Sequence, residues 1–248
     1  MLLPGYLLAA ELFAVCLARL IPAKCPHLRL PVVYYPQHRH DESPMGKREE
    51  AMSNFCFAFP KELDSPVKID DWAKRYLQDL TPKGRKAEDN VVDVIGPCAR
   101  DVGFLTLEQF KEICMWKSPR PKHLYEQNED EYIEEVTRIA LSAPSERLRI
   151  QILTLLRGVS WRTASAILHL AHQDRYPIMD FRVMRTLGQE VQENFAFWWE
   201  YVELCRKIAE KHGVTMRTLD RALWKYAIEK GGETAANNSA AKGHLADE

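Results

Sequence analysis

Residues Leu155–Leu168 read LLRGVSWRTASAIL, and a little further on Tyr176–Arg182 read YPIMDFR. The first stretch joins two apolar-faced helices through a very short turn at Gly158. Glycine suits that place because so tight a reversal demands a positive φ, which other residues adopt only at a cost. Val159 is placed to plug the small core between the two helices, and Ser160 to cap the second. A turn of this kind aims successive backbone N–H groups, backed by a helix N-terminus, at one point in solvent. That is an anion site. On DNA the anion is a phosphate, and a grip made by backbone groups holds a duplex without reading its sequence.

Working outward from the hairpin, helical periodicity dominates. Ile69–Leu80 places Trp72, Tyr76, Leu77 and Leu80 on one face. Thr106 with Gln109 forms a capping-box pattern ahead of the stripe Leu107, Phe110, Ile113 and Cys114, and the Pro119–Pro121 region ends that helix. Asn128 with Glu131 repeats the capping pattern, with Tyr132, Val136 and Ile139 expected to face inward. Ser145–Leu156 follows with Leu148, Ile152 and Leu155 at helical spacing, then Trp161–Ala171, Phe181–Gly188, Glu193–Lys211 and Thr215–Glu229. Strand-like alternation is nearly absent, so the fold class is all-α. From Gly231 the chain turns small and polar, as a disordered tail would. The organisation expected is an N-terminal extension over residues 1–51, a helical domain over 52–230 with its hairpin at 148–171, and a tail over 231–248.

The 248 residues are 46% hydrophobic and 28% charged, with a net charge of −1, so bulk charge advertises no nucleic-acid partner. Locally the balance tips: Arg138–Lys230 holds 15 basic against 10 acidic residues. Cys16, Cys25, Cys56, Cys98, Cys114 and Cys205 are scattered without a CxxC pair, which makes neither a zinc site nor a four-cysteine cluster and suits reduced thiols in the cytoplasm. Leu2–Leu20 is apolar, but Glu11 and Arg19 interrupt it and no basic residue precedes it. It therefore reads as part of an upstream extension and lacks the charged start of a signal peptide, with an anchor helix, marginal in length and costly at Glu11, as the lesser alternative. His169 and His172 lack a third ligand, and Trp198, Trp199 and Trp224 sit on helical faces as core residues do.

The hairpin and the aspartate after it resemble the helix-hairpin-helix DNA glycosylase superfamily, which includes endonuclease III, the adenine glycosylase MutY and 8-oxoguanine glycosylase. That family's pattern runs roughly L-P-G-V-G-x-K-T-A, followed at a fixed interval by an Asp in a short V-D-x-x-x-R-like run. Here the interval from Arg162 to Asp180 is 18 residues, as in the family. Arg157 stands where the family has Pro, and Ser160 where it has the second Gly. The resemblance implies a two-lobed helical bundle, Asp180 as the catalytic carboxylate, and a DNA grip formed by Gly158, Val159, Ser160, Arg162 and Thr163. It also implies a potassium or sodium ion on the backbone carbonyls of Thr154, Leu156 and Val159.

Arg162 occupies the position where bifunctional members carry a catalytic lysine. A guanidinium stays protonated and cannot act as an amine nucleophile. The resemblance is therefore to a monofunctional member without an iron–sulfur cluster, and no Schiff-base lyase step is expected. An ionised Asp180 would stabilise the positive charge that builds on the sugar and would activate water. As a bare N-cap after Pro177 it would have no such role. Met115, Trp116, Lys117 and Arg120 form an aromatic and basic loop suited to invading the stack or holding an extruded base, or simply to anchoring a loop. The partner implied is double-stranded DNA, with no membrane and a monomeric protein, in repair or antiphage defence. The substrate would be a damaged, mismatched or hypermodified base. The alternatives are a DNA-binding hairpin module without chemistry, and a helical scaffold for protein interaction.

Overall fold

A computed structural model describes residues 55–172 and 174–244, with the backbone alone over 232–244. The expectations for residues 1–51 lie outside the described residues. Every regular element among those described is helical, and none is long and apolar enough to cross a membrane. A 3₁₀ turn at Lys61–Leu63 is followed by α1 (Pro66–Gln78), α2 (Pro82–Asp89), a π-helical segment (Asn90–Ile95) and α3 (Gly96–Val102). Then come α4 (Leu107–Lys117), the short α5 (Lys122–Tyr125), α6 (Asp130–Ser142) and α7 (Glu146–Leu153). The chain ends with α8 (Trp161–Ala171), α9 (Phe181–Thr186), α10 (Phe195–His212) and α11 (Met216–His244).

Helix α8 is the axis of the core. Every residue from Trp161 to Ala171 is buried except Arg162. A helix apolar or small on all sides has to be surrounded, and α3, α4, α7 and the π segment pack against it. Ala164, Ser165 and Ala166 keep its flank thin. At Gly96, which opens α3, a Cβ would come 2.6 Å from the Leu170 carbonyl oxygen, so this approach requires glycine. Helix α11 closes the domain by packing along α1 and against α9.

The capping signals act where expected at α4, whose Thr106 and Gln109 make both bonds of a capping box. Ser65 and Ser145 cap α1 and α7 through their hydroxyls. At α6 the expected cap is corrected: Glu129 occupies the N-cap without a side-chain bond, while the buried Asn128 works elsewhere. Its Oδ1 accepts from the Arg157 amide at 2.8 Å, and its Nδ2 donates to the carbonyls of Arg157 at 3.1 Å and Tyr125 at 3.0 Å. Asn128 thus staples the entrance of the hairpin turn to the turn after α5.

Two apolar faces are also rotated from the sequence reading. On α6 the buried set is Ile133, Val136, Thr137 and Ala140, leaving Tyr132 and Ile139 exposed. On α7 it is Arg149, Ile150 and Leu153, leaving Leu148 and Leu155 exposed. The cause is Arg149, whose guanidinium turns inward and donates to the carbonyls of Leu141 at 2.8 Å and Ala143, at the C-terminal end of α6. Those carbonyls have no partner within their own helix, and satisfying them fixes which side of α7 faces the core. The segment expected to be a disordered tail from Gly231 continues instead as helix to His244. Its alanines favour that continuation once the preceding turns are packed.

Replacing Asn128 with Ala removes both bonds to Arg157 and empties a buried polar site, so it should cost about 2–3 kcal/mol of stability. Denaturant unfolding measures it. A loss under about 0.5 kcal/mol would show that the staple contributes nothing to the turn.

Candidate nucleic-acid interface and active site

The hairpin turn takes the conformation that its glycine suggests. Gly158 has φ of +83°, and a Cβ there would lie 2.8 Å from the Tyr125 ring, so glycine is required both by conformation and by space. Val159 is buried in the core, and its amide closes the turn on the Leu156 carbonyl at 3.1 Å. Ser160 holds the N-cap position of α8, but its hydroxyl takes no bond from the first turn. The amides at that end are therefore left without a side-chain cap and remain able to meet an anion. For a monovalent cation the carbonyls of Thr154, Leu156 and Val159 all lie around this turn. The Leu156 carbonyl already accepts the Val159 amide, and a carbonyl has a second lone pair to offer.

The segment leading to Asp180 is laid across α8 and held by that helix's few polar side chains. Ser165 Oγ accepts from the Met179 amide at 2.9 Å, and Asp220 on α11 accepts from the Ile178 amide at 3.2 Å. His169 Nδ1 lies 2.6 Å from the Tyr176 carbonyl oxygen. Burial pushes its pKa down to about 4, so the ring is neutral and Nδ1 carries the proton that this oxygen accepts. His169 is an anchor for the backbone, in keeping with its reading as an ordinary helix residue. Among the described residues no cluster of His, Cys, Asp or Glu is arranged to hold a metal ion.

Asp180 itself is the N-cap of α9, its Oδ1 accepting from the Arg182 amide at 3.0 Å. Its Oδ2 faces Lys117 Nζ at 3.0 Å, and the two side chains are only 12% and 11% exposed. Burial pushes the Asp180 carboxyl up. The charge of Lys117, its hydrogen bond and the Arg182 amide outweigh that and hold the carboxyl below its ordinary value. The pair joins the end of α4 to the start of α9 across 63 residues of sequence.

Two concavities meet at this pair. One, of about 380 Å³, is a cleft walled by Ser118–Pro121, Gly158, Ser160, Arg162, Thr163, Phe181 and the Lys117–Asp180–Arg182 group. It presents Lys117, Arg120, Arg162 and Arg182 against the single carboxylate of Asp180. The other, of about 190 Å³, is a pocket lined by Tyr76, Trp116, Ile178, Val183, Arg217, Asp220 and Trp224 and by the same three residues. Behind it Glu88, fully buried, binds the guanidiniums of Arg217 and Arg221, and Arg217 also pairs with Asp220 at 2.6 Å. The Arg217 guanidinium lies 5.3 Å from the centre of the Trp116 ring.

The structure thus brings together Gly158, Ser160, Arg162, Thr163, Lys117, Arg120, Trp116 and Asp180. Met115 is different: it packs against the core and lines neither concavity. Asn128, Ser165, His169, Arg217 and Asp220 were not read from the sequence as parts of this site. The sequence matches no protein-family model, no curated protein and no solved structure.

A carboxyl held below its unfolded value stabilises the fold fully at pH above that unfolded value, and this contribution is lost as pH falls through the folded value. Asp180→Asn should therefore be less stable than the parent by about 2 kcal/mol near neutral pH, because it leaves Lys117 charged, shielded and unpaired. Unfolding measured as a function of pH should show that gap closing below about pH 4. A gap that stays constant into acid would show that the charge of Asp180 plays no part.

Proposed function

We propose that the chain is a DNA glycosylase of the helix-hairpin-helix type, hydrolysing the bond between a damaged or modified base and its deoxyribose. The observation that carries this reading is that Lys117, Asp180 and Arg182 are the wall common to a cationic cleft and an aromatic pocket. A nucleotide extruded from a duplex needs both: a positive channel for its phosphates and a stacking surface for its base. Its sugar then falls at the common wall, beside the carboxylate.

In that position Asp180, kept ionised by Lys117, stabilises the positive charge growing on the sugar as the glycosidic bond breaks, and orients the attacking water. Phosphates of the flanking backbone are met by the amides of Gly158 and Ser160 and by Arg120 and Arg162. A monovalent cation on the carbonyls of Thr154, Leu156 and Val159 would add countercharge there. The base stacks among Tyr76, Trp116 and Trp224. A hairpin that binds duplex DNA without chemistry is the second reading, favoured by the Lys117 bond that occupies Asp180 Oδ2 in the free protein. For catalysis that amine has to share the carboxylate with the sugar.

The test is incubation with a panel of duplexes carrying modified or mismatched bases, followed by hot alkali to reveal abasic sites. The parent should release at least one base, and Asp180→Asn none, with duplex affinity unchanged within about threefold. Binding without release across the panel would favour the non-catalytic module, and equal release by Asp180→Asn would remove the carboxylate from the mechanism.

A further inference from the structure

A fixed cation stands among the aromatic rings of the pocket. The Arg217 guanidinium lies 5.3 Å from the centre of the Trp116 ring and 5.8 Å from that of Tyr76. It is tied in place, because Nη1 donates to Asp220 at 2.6 Å and Nη2 donates to Glu88. Glu88 is itself held, by Arg221 at 2.7 Å and by the Tyr76 hydroxyl at 2.9 Å. A guanidinium has more N–H donors than these two bonds use. One of them, the buried Nε–H of Arg217, has no partner among the described residues. A shielded donor without a partner is uncommon in a folded protein and calls for an acceptor.

The carboxylates of the pocket are already engaged. Asp220 accepts from the Ile178 amide and from Arg217, and Asp180 accepts from Lys117 and the Arg182 amide. Against these two, the lining sets the positive charges of Lys117, Arg182 and Arg217. Aromatic faces on their own attract cations, but here Arg217 takes that place between Trp116 and Tyr76.

We propose that Arg217 determines which bases the pocket accepts: it donates to a carbonyl oxygen or ring nitrogen of a neutral base, and its charge turns away positively charged bases such as N-alkylated purines. This rests on reading the pocket as the place of an extruded base. Attraction and rejection come from one group. Hydrogen bonds from a charged donor are stronger than those between neutral groups. A second cation pressed against the guanidinium meets like-charge repulsion in a shielded place, with both carboxylates of the lining engaged elsewhere. Selectivity is then a difference between two affinities, set by charge more than by shape.

The full chain is titrated at neutral pH with two duplexes that differ at one nucleotide, 1-methyladenine in one and 1-methylhypoxanthine in the other. The methyl group blocks Watson–Crick pairing in both, so both bases are ready to leave the stack. The first is a cation; the second is neutral, with a carbonyl oxygen in place of the exocyclic amine. The ratio of the two dissociation constants is taken within each protein, so a general change in duplex affinity cancels. The parent should bind the 1-methylhypoxanthine duplex about tenfold or more tightly than the other, and Arg217→Gln should bring the two within about threefold. If Arg217→Gln fails to fold, the parent decides alone: in mildly alkaline solution 1-methyladenine loses its charge, and the preference should shrink. Equal affinity of the parent for the two duplexes, a preference for the cation, or a preference that survives Arg217→Gln or alkali overturns this role for Arg217 and leaves the glycosylase reading standing. Failure to bind either duplex overturns both.

Discussion

The rest of the structure depends on the burial of α8 on every side. A helix in that position cannot shift without opening the whole core, so whatever is tied to it is held firmly. Its single side chain that escapes burial, Arg162, faces the cleft. Its two polar anchors, Ser165 and His169, hold the backbone of Met179 and Tyr176 in place, and Asp180 follows directly. Its N-terminal end is the hairpin turn, set over the Tyr125 ring and stapled by Asn128. The hairpin turn and the carboxylate are thus two ends of one rigid element and of the segment laid across it. Rigidity of this kind lets a site present charge without reorganising at the moment of reaction.

Charge is handled throughout by pairing at the edges of apolar packing. Glu88 is fully buried but bonded to two guanidiniums, and Arg149 spends its donors on the carbonyls that end α6. Either group, stripped of its partners, would cost more than the pairing gains. At the Lys117–Asp180 pair the same economy has a different consequence. The carboxylate stays ionised in a shielded place, and the amine that keeps it so stands at the wall between cleft and pocket.

Much of this was legible in the sequence because it is local. The bounds of α8, the glycine turn, the capping box at Thr106 and the N-cap position of Asp180 depend on residues within a few positions of one another. The parts that were not legible depend on partners far along the chain. Asn128 reads as a cap until Arg157, 29 residues on, is found to take its bonds. The inner face of α7 is set by Arg149, a charged residue that any hydrophobic stripe leaves outside. Lys117 reads as a phosphate contact in a loop, and nothing near it in sequence points to Asp180. The Arg217–Asp220 wall of the pocket is held from behind by Glu88, which lies 129 residues before Arg217.

The central claim is that Asp180 stabilises positive charge on a deoxyribose held between cleft and pocket. It can be tested without knowing the base, using two duplexes that differ at one sugar. One carries a pyrrolidine ring with a protonated nitrogen at the C1′ position, and the other a neutral tetrahydrofuran ring. Equilibrium dissociation constants for both, with the parent protein and with Asp180→Asn, are the measurement. The cationic sugar should bind the parent about tenfold or more tightly than the neutral one, with the preference gone in Asp180→Asn. Equal affinity of the parent for the two duplexes would contradict the assignment of this carboxylate and this site.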